Sequence, residues 1–538
     1  MTLLQLCTIS LALMISALSQ PLHAGNVDAT VAAEVSLGER LFLETRFAQT
    51  YAAHPGKADP VLRYSITTAG KFNGPFAGKN MNCRACHMVD EHQNAKHGGM
   101  RTYTDFARMS PIPDRHDGRH VTGRNSMSLV NIMRIPGALF HFDGEFNSME
   151  DLVRATLTGR NYGWQTDENT QAIAHIAQVI RTDDGKDELA KEFGGSYRNI
   201  LAGTDPAIAD EFRLPEKYRI DVTHASDTAI LDAVARLITA YIEDLGFSVD
   251  DTGNYNGSPY DRFLELNHLP RRPAVNETDI LYAQRLANAV NNLTKPKYVF
   301  ANIRRFTTHQ QPFEFGATEL KGLKLFLASG SSIKRGGNCA SCHTPPHFTD
   351  GGFHNTGVTQ SIYDKTHGTG SFMKQVIPDL ATRRKNYNAY LPATAKHPHA
   401  SEHFRRPVSQ DNPEYVDLGA WNIYANPDMP APQEKLNNIF CRQQSSAKTD
   451  CSAASLLPTT IAAFKTPSLR NPGHSGPYMH TGLLNTLAEV TRFYISSSHL
   501  AKSGQLRNAD QGLFFMNLKT ADLPAIEAFL KSLNEDYD

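Results

Sequence analysis

Two pentapeptides carry the residues of this chain most able to do chemistry: Cys83-Arg84-Ala85-Cys86-His87 and Cys339-Ala340-Ser341-Cys342-His343. Two thiols on one turn can each add to a vinyl group of a single haem, and the adjacent histidine then reaches the iron as an axial ligand. The competing chemistry is structural zinc. Zinc ribbons, however, pair CxxC units across shorter separations and do not place a histidine directly after each one. The pattern therefore marks Cys83, Cys86, Cys339 and Cys342 as attachment points for two c-type haems, with His87 and His343 as iron ligands. An iron with two strong protein ligands mainly carries electrons, whereas one with an open position can bind peroxide or oxygen. Candidates for the second axial position are His92, His97, His116 and His120 at the first haem, and Met479, His480, Tyr494 and Met516 at the second. Pattern alone does not choose among them.

The elements that must position these turns recur along the chain. The run LGERLF (37–42) precedes the first CxxCH and LKGLKLF (320–326) precedes the second, each with the spacing of an amphipathic helix. Ser128-Leu129-Val130-Asn131 is echoed by Ser468-Leu469-Arg470-Asn471, and the stretch 141–153 by 479–490. In that last pair Ser148 stands three residues before Asp151 and Thr486 three before Glu489, the signature of a capped helix start. Echoes in one order indicate two copies of one haem module. The second copy carries an insertion at about 360–460, whose Pro-, Asn- and His-rich stretch predicts surface loops without long regular elements. Between the copies, residues 228–247 read as an amphipathic helix and 250–257 as a turn-rich linker. Strand-like alternation is scarce, so the expected fold is mainly α: two cytochrome c-like haem domains with long loops.

The chain has 538 residues, enough for two or more cores. Its 54 Lys and Arg nearly balance 55 Asp and Glu, which argues against a nucleic-acid partner. Residues 1–24 hold an apolar run from Leu3 to Leu18 followed by small residues at Ala24 and Gly25, the form of a cleaved export signal. No later apolar run reaches membrane-spanning length. Of seven cysteines, Cys7 leaves with the signal and four belong to the CxxCH motifs. Cys441 and Cys451 remain, and in an oxidising compartment such a pair is most simply a disulfide.

Taken together, these blocks resemble the bacterial dihaem cytochrome c peroxidase and MauG family over nearly all of the mature chain. The matching stretches are LGERLFLETR (37–46), the first CxxCH, GRNSMSLVN (123–131) and FHFDG (140–144), then the second CxxCH, FTDGGFHNTG (348–357), FKTPSLRN (464–471) and GPYMHTG (476–482). The resemblance implies an N-terminal peroxidatic haem domain (25–250), a linker region (251–310) and a C-terminal electron-transfer haem domain (311–538). It also implies a calcium ion between them, held by the Asn125 side chain and the carbonyls of Ser475 and Pro477. Oxygen-only ligation suits calcium. The family places the second ligand of the C-terminal iron near the end of the helix that follows GPYMHTG, which assigns it to Tyr494. Where the family usually has a Trp between the haems, this chain has Phe142, whose ring oxidises far less easily. No catalytic acid or base is assigned; Glu168 is the candidate for the family's distal-pocket Glu.

The expected function is a periplasmic dihaem peroxidase that reduces hydrogen peroxide with electrons from a small redox protein, a cytochrome c or a cupredoxin. The alternatives are a MauG-like enzyme that oxidises side chains of a protein substrate, and a plain electron-transfer cytochrome.

Overall fold

The computed structural model describes residues 31–57, 80–88, 112–301, 311–328, 335–444 and 450–535, with 65–67, 70–72, 104–105, 110 and 306. Residues 1–24, His92 and His97 lie outside the described residues. The described chain is mainly helical, and its strands are antiparallel pairs of two or three residues. No helix among the described residues is long and apolar enough to cross a membrane.

The sequence echoes fold into the same packing twice. Helix Ala33–Leu43 lies on helix Asp227–Asp244, and helix Ala317–Leu327 lies on helix Leu523–Lys531. Each crossing is made at a glycine. A Cβ on Gly38 would run into the Leu237 carbonyl, and one on Gly322 into the Ala525 carbonyl. Glycine in a helix interior costs roughly 1 kcal/mol against alanine, so both positions give up local stability for close backbone approach. The capped starts also form. The Ser148 hydroxyl accepts from the Asp151 amide at the head of helix Met149–Leu157. Thr486 and Glu489 make a reciprocal capping box at the head of helix Leu487–Lys502.

Among the described residues, three large buried apolar clusters follow the chain. The first draws on residues from Ala33 to Tyr255, around helices Ala33–Leu43, Asn169–Thr182 and Asp227–Asp244. The second joins helices Pro259–Leu266 and Asp279–Asn291 to Ala317–Leu327 and Leu523–Lys531. Residues 251–301 are therefore no mere linker: Tyr260, Phe263, Tyr282 and Leu286 are fully buried in that second core. The Arg470 guanidinium pins the segment by pairing with Asp261 at 2.8 Å and stacking on Tyr255.

The insertion also departs from expectation. It holds helices Val358–His367 and Gln433–Gln443 with shorter turns between them, and it has a core of its own around Trp421, which is fully buried with Leu391, Val416, Leu418 and Ile423. Arg383 is buried there too, donating to the carbonyls of Trp421 and Tyr424. Turn-rich composition does suppress regular elements, but the aromatic and aliphatic residues scattered through it are enough to collapse inward. Cys441, in helix Gln433–Gln443, is bonded to Cys451, with Cα atoms 5.4 Å apart. Closing so short a loop contributes about 2–3 kcal/mol on the chain-entropy account. Cys441→Ser is expected to lower unfolding free energy by that amount in denaturant titration. Two free thiols in a non-reducing peptide map would contradict the bond.

Candidate functional site

Each CxxCH motif forms a short 3-10 turn, Cys83–Ala85 and Cys339–Ser341, and an asparagine directly before the first cysteine anchors it. Asn82 accepts from the Ala85 amide at 2.9 Å and donates to the Leu43 carbonyl at 2.8 Å, tying the turn to the preceding helix. Asn338 has φ of 51° and donates to the Gly512 carbonyl at 2.9 Å, while its backbone N–H reaches the Ala328 carbonyl. Asparagine tolerates that left-handed backbone better than most residues. Motif reading passes over this Asn-Cys pair, although it recurs in both copies.

The two histidines are presented alike. His87 Nδ1 lies 2.8 Å from the Met127 carbonyl and His343 Nδ1 lies 3.1 Å from the Phe348 carbonyl. A carbonyl can only accept, so Nδ1 carries the proton and the Nε2 lone pair is left for a metal. Burial lowers the pKa of His87 to about 4 and lowers that of His343 as well, so both rings are neutral, as ligation requires. Burial pushes the Cys83 and Cys339 thiols up to about 12. Among the described residues Cys342 lies close enough to Asp350 and His354 to share a metal with them, but neither Cys-Cys-His trio converges its sulfurs and ring nitrogen on one point. Cys83 instead meets the Tyr162 hydroxyl at 3.2 Å.

Cys339, Cys342 and His343 open onto a largely apolar cavity of about 270 Å³. Helix Leu487–Lys502 forms one wall of it. Leu487, Val490, Thr491 and Tyr494 follow the three-and-four spacing of a single helix face and all line the cavity. Met479, His480 and Met516 line it too, so the structure brings all four candidates for the second haem together. Of the histidine candidates for the first haem, His116 and His120 can be placed, and their side chains are 94% and 68% exposed. Glu168 is engaged by Arg115 in a two-pronged ion pair and caps a turn through the Gln165 amide. That arrangement gives it a structural role.

The same cavity runs on to Asn125, Ser475, Pro477 and Phe142. The Asn125 amide lies 2.8 Å from the Pro477 carbonyl, and its backbone N–H reaches the His480 carbonyl at 2.7 Å. Phe142 meets the His480 ring edge-on at 6.4 Å, and His480 stacks flat on Phe464 at 3.5 Å. Burial drives the His480 pKa to about 3, so this ring is neutral.

Behind these rings the insertion grips the first half of the chain through buried charges. Arg124 bridges Asp143 and Asp417, each at 2.6 Å, and Arg405 bridges Glu145 at 2.5 Å and Asp143 at 3.0 Å. Burial opposes ionisation of Glu145 and Asp417, but the guanidiniums outweigh it and hold both carboxyls well below their usual range. Arg124 and Asp143 sit inside motif blocks read from the sequence, whereas Arg405 and Asp417 carried no signal there.

No protein-family profile matches the chain. Among curated relatives, it is 57% identical over 37 residues to the cytochrome-c peroxidase IdrP1 of Denitromonas iodatirespirans. That match covers 7% of this chain and 10% of the relative. It is 26% identical over 200 residues to IdrP2 of the same organism, covering 37% of this chain and 36% of the relative. The chain thus matches about a third or less of these relatives' length. Among solved structures, it is similar to the dihaem peroxidase BthA of Burkholderia thailandensis E264, with 15% identity and a TM-score of 0.46 over 93% of this chain and 86% of that one. It is also similar to a MauG-like protein associated with microbial copper homeostasis, with 16% identity and a TM-score of 0.44 over 96% and 92% of the two chains. These relatives and neighbours are named as peroxidases or MauG-like proteins, and peroxidases are oxidoreductases.

Proposed function

We propose that the chain is a periplasmic dihaem c-type peroxidase that reduces hydrogen peroxide to water with two electrons from a small redox protein and two protons from solvent. The observation that carries this reading is the duplicated CxxCH turn, each copy with a half-buried histidine whose Nδ1 is tied to a carbonyl. Similarity to proteins named cytochrome-c peroxidases supports it. Haem c, once attached, supplies the redox-active iron. The chain's own residues do the rest. Cys83, Cys86, Cys339 and Cys342 tether the two groups, and His87 and His343 present Nε2. The first module (25–250) holds the peroxidatic site and the second (311–538) the electron-entry site.

In the cavity beside the Cys339–His343 turn we assign Tyr494 as a further residue that would hold the iron there, on its helix position lining the same cavity. We place calcium at Asn125, Ser475 and Pro477. These offer neutral oxygens, and the Asn125 amide already meets the Pro477 carbonyl; turning that amide over would aim its oxygen at the same point. The phenol at 494 is also what would suit a MauG-like enzyme acting on a protein substrate, which keeps that reading as the second one. Steady-state peroxide consumption with a reduced small cytochrome distinguishes the two. Turnover driven by the donor supports the peroxidase. Peroxide-dependent oxidation of a protein substrate without donor-driven turnover would overturn it in favour of the second reading.

A further inference from the structure

We propose that Lys465 is a proton-holding residue for electron transfer between the two CxxCH sites. One electron delivered to the second site by a reducing protein partner is matched by one proton moving from water to the Lys465 amine. The proton leaves again when the electron does. The proposal rests on the reading that both sites carry haem.

The geometry is unusual for a lysine. Lys465 belongs to the second half of the chain, in the strand Phe464–Lys465 that pairs with Phe353–His354. It is 5% exposed and lines the cavity shared by Cys339, His343, Phe142 and His480. Both ends of the residue hold the first half of the chain. Its backbone N–H donates to the Phe142 carbonyl at 2.8 Å, and Nζ donates to the Leu139 carbonyl at 2.8 Å. A single carbonyl is little compensation for a buried ammonium, which normally demands a carboxylate of its own.

The acid nearest in charge terms, Asp143, is already taken by Arg124 and Arg405. Those two guanidiniums face three carboxylates, Asp143, Glu145 and Asp417. His141 also meets Glu145, and a proton on Lys465 adds a further positive charge beside Asp143. Burial brings the Lys465 pKa down to about 7, with Asp143 opposing, so the amine gains or loses its proton near neutrality. A positive charge at the second site disfavours the ammonium, and adding an electron there relieves that repulsion, which sets the direction of proton uptake. The other titratable rings facing this strand are placed differently. His480 is neutral with a pKa of about 3. His354 is locked between Asp350 and Asp510. His141 is engaged by Glu145.

The test is spectroelectrochemical titration of the haem-loaded protein across about pH 6–8, the window around the shifted amine. In the wild type, one midpoint potential should fall as pH rises through this window. Lys465→Met should flatten that dependence, and Lys465→Arg, permanently charged, should flatten it at a higher potential than Met. An unchanged pH dependence in Lys465→Met with two haems bound overturns the proposal. If neither variant matures, the wild type decides. Reduction at neutral pH in weakly buffered solution should take up a fraction of a proton, read with an indicator dye, and zero uptake is equally fatal. Absence of haem in the intact mass would instead defeat the reading beneath it.

Discussion

Protein carrying Cys83→Ser together with Cys86→Ser is expected to retain one covalently bound haem and to lose peroxide turnover, while Cys339→Ser with Cys342→Ser retains the other haem and loses turnover driven by a protein donor. The reason lies in how separately the two turns are built. The first is fastened to helix Ala33–Leu43 through Asn82, the second to Gly512 and Ala328 through Asn338. They belong to different apolar cores. Removing one pair of thiols therefore leaves the other turn's supports intact. Intact mass after expression with c-type maturation reads the outcome directly: two haems above the apo mass in the wild type, one in each double variant. Bound zinc in the wild type, or loss of both haems from either variant, contradicts the assignment.

The second large effect is expected at Tyr494. Tyr494→Phe keeps the ring and its packing but removes the only oxygen that helix Leu487–Lys502 presents near the end of its cavity-facing row Leu487, Val490, Thr491 and Tyr494, apart from the Thr491 hydroxyl. That hydroxyl is already spent on the Leu487 carbonyl. A phenolate is a hard anionic donor that favours ferric iron, so its loss should raise the potential of one haem. The same change should turn a six-coordinate ferric spectrum at that haem into a five-coordinate or water-ligated one. Unchanged optical, EPR and redox signatures of both haems would instead pass the role to Met479 or Met516, which line the same cavity.

Much of this arrangement is legible in the amino-acid sequence. The CxxCH turns, the Ser148 and Thr486 helix starts and the paired helices ahead of each turn all follow from local rules, because a turn, a cap or an amphipathic face is set by residues within a few positions of one another. What local rules do not reach is everything joined across hundreds of residues. Residues 250–257 read as turn and linker, yet Tyr255 is buried there, stacked under Arg470. The insertion reads as loops because Pro, Asn and His break periodicity, yet periodicity is not needed to bury Trp421, Leu418 and Phe404 around a common centre. Arg405 and Glu145 meet from opposite halves of the chain, and nothing near either one announces the other. The sequence by itself determined the two CxxCH turns and the helices that precede them, since both are written in adjacent positions. Only the tertiary structure decided that Tyr494 faces the second attachment turn and that Lys465 is buried between the halves, because an environment is made by the residues the fold brings together, and those leave no mark on their neighbours in sequence.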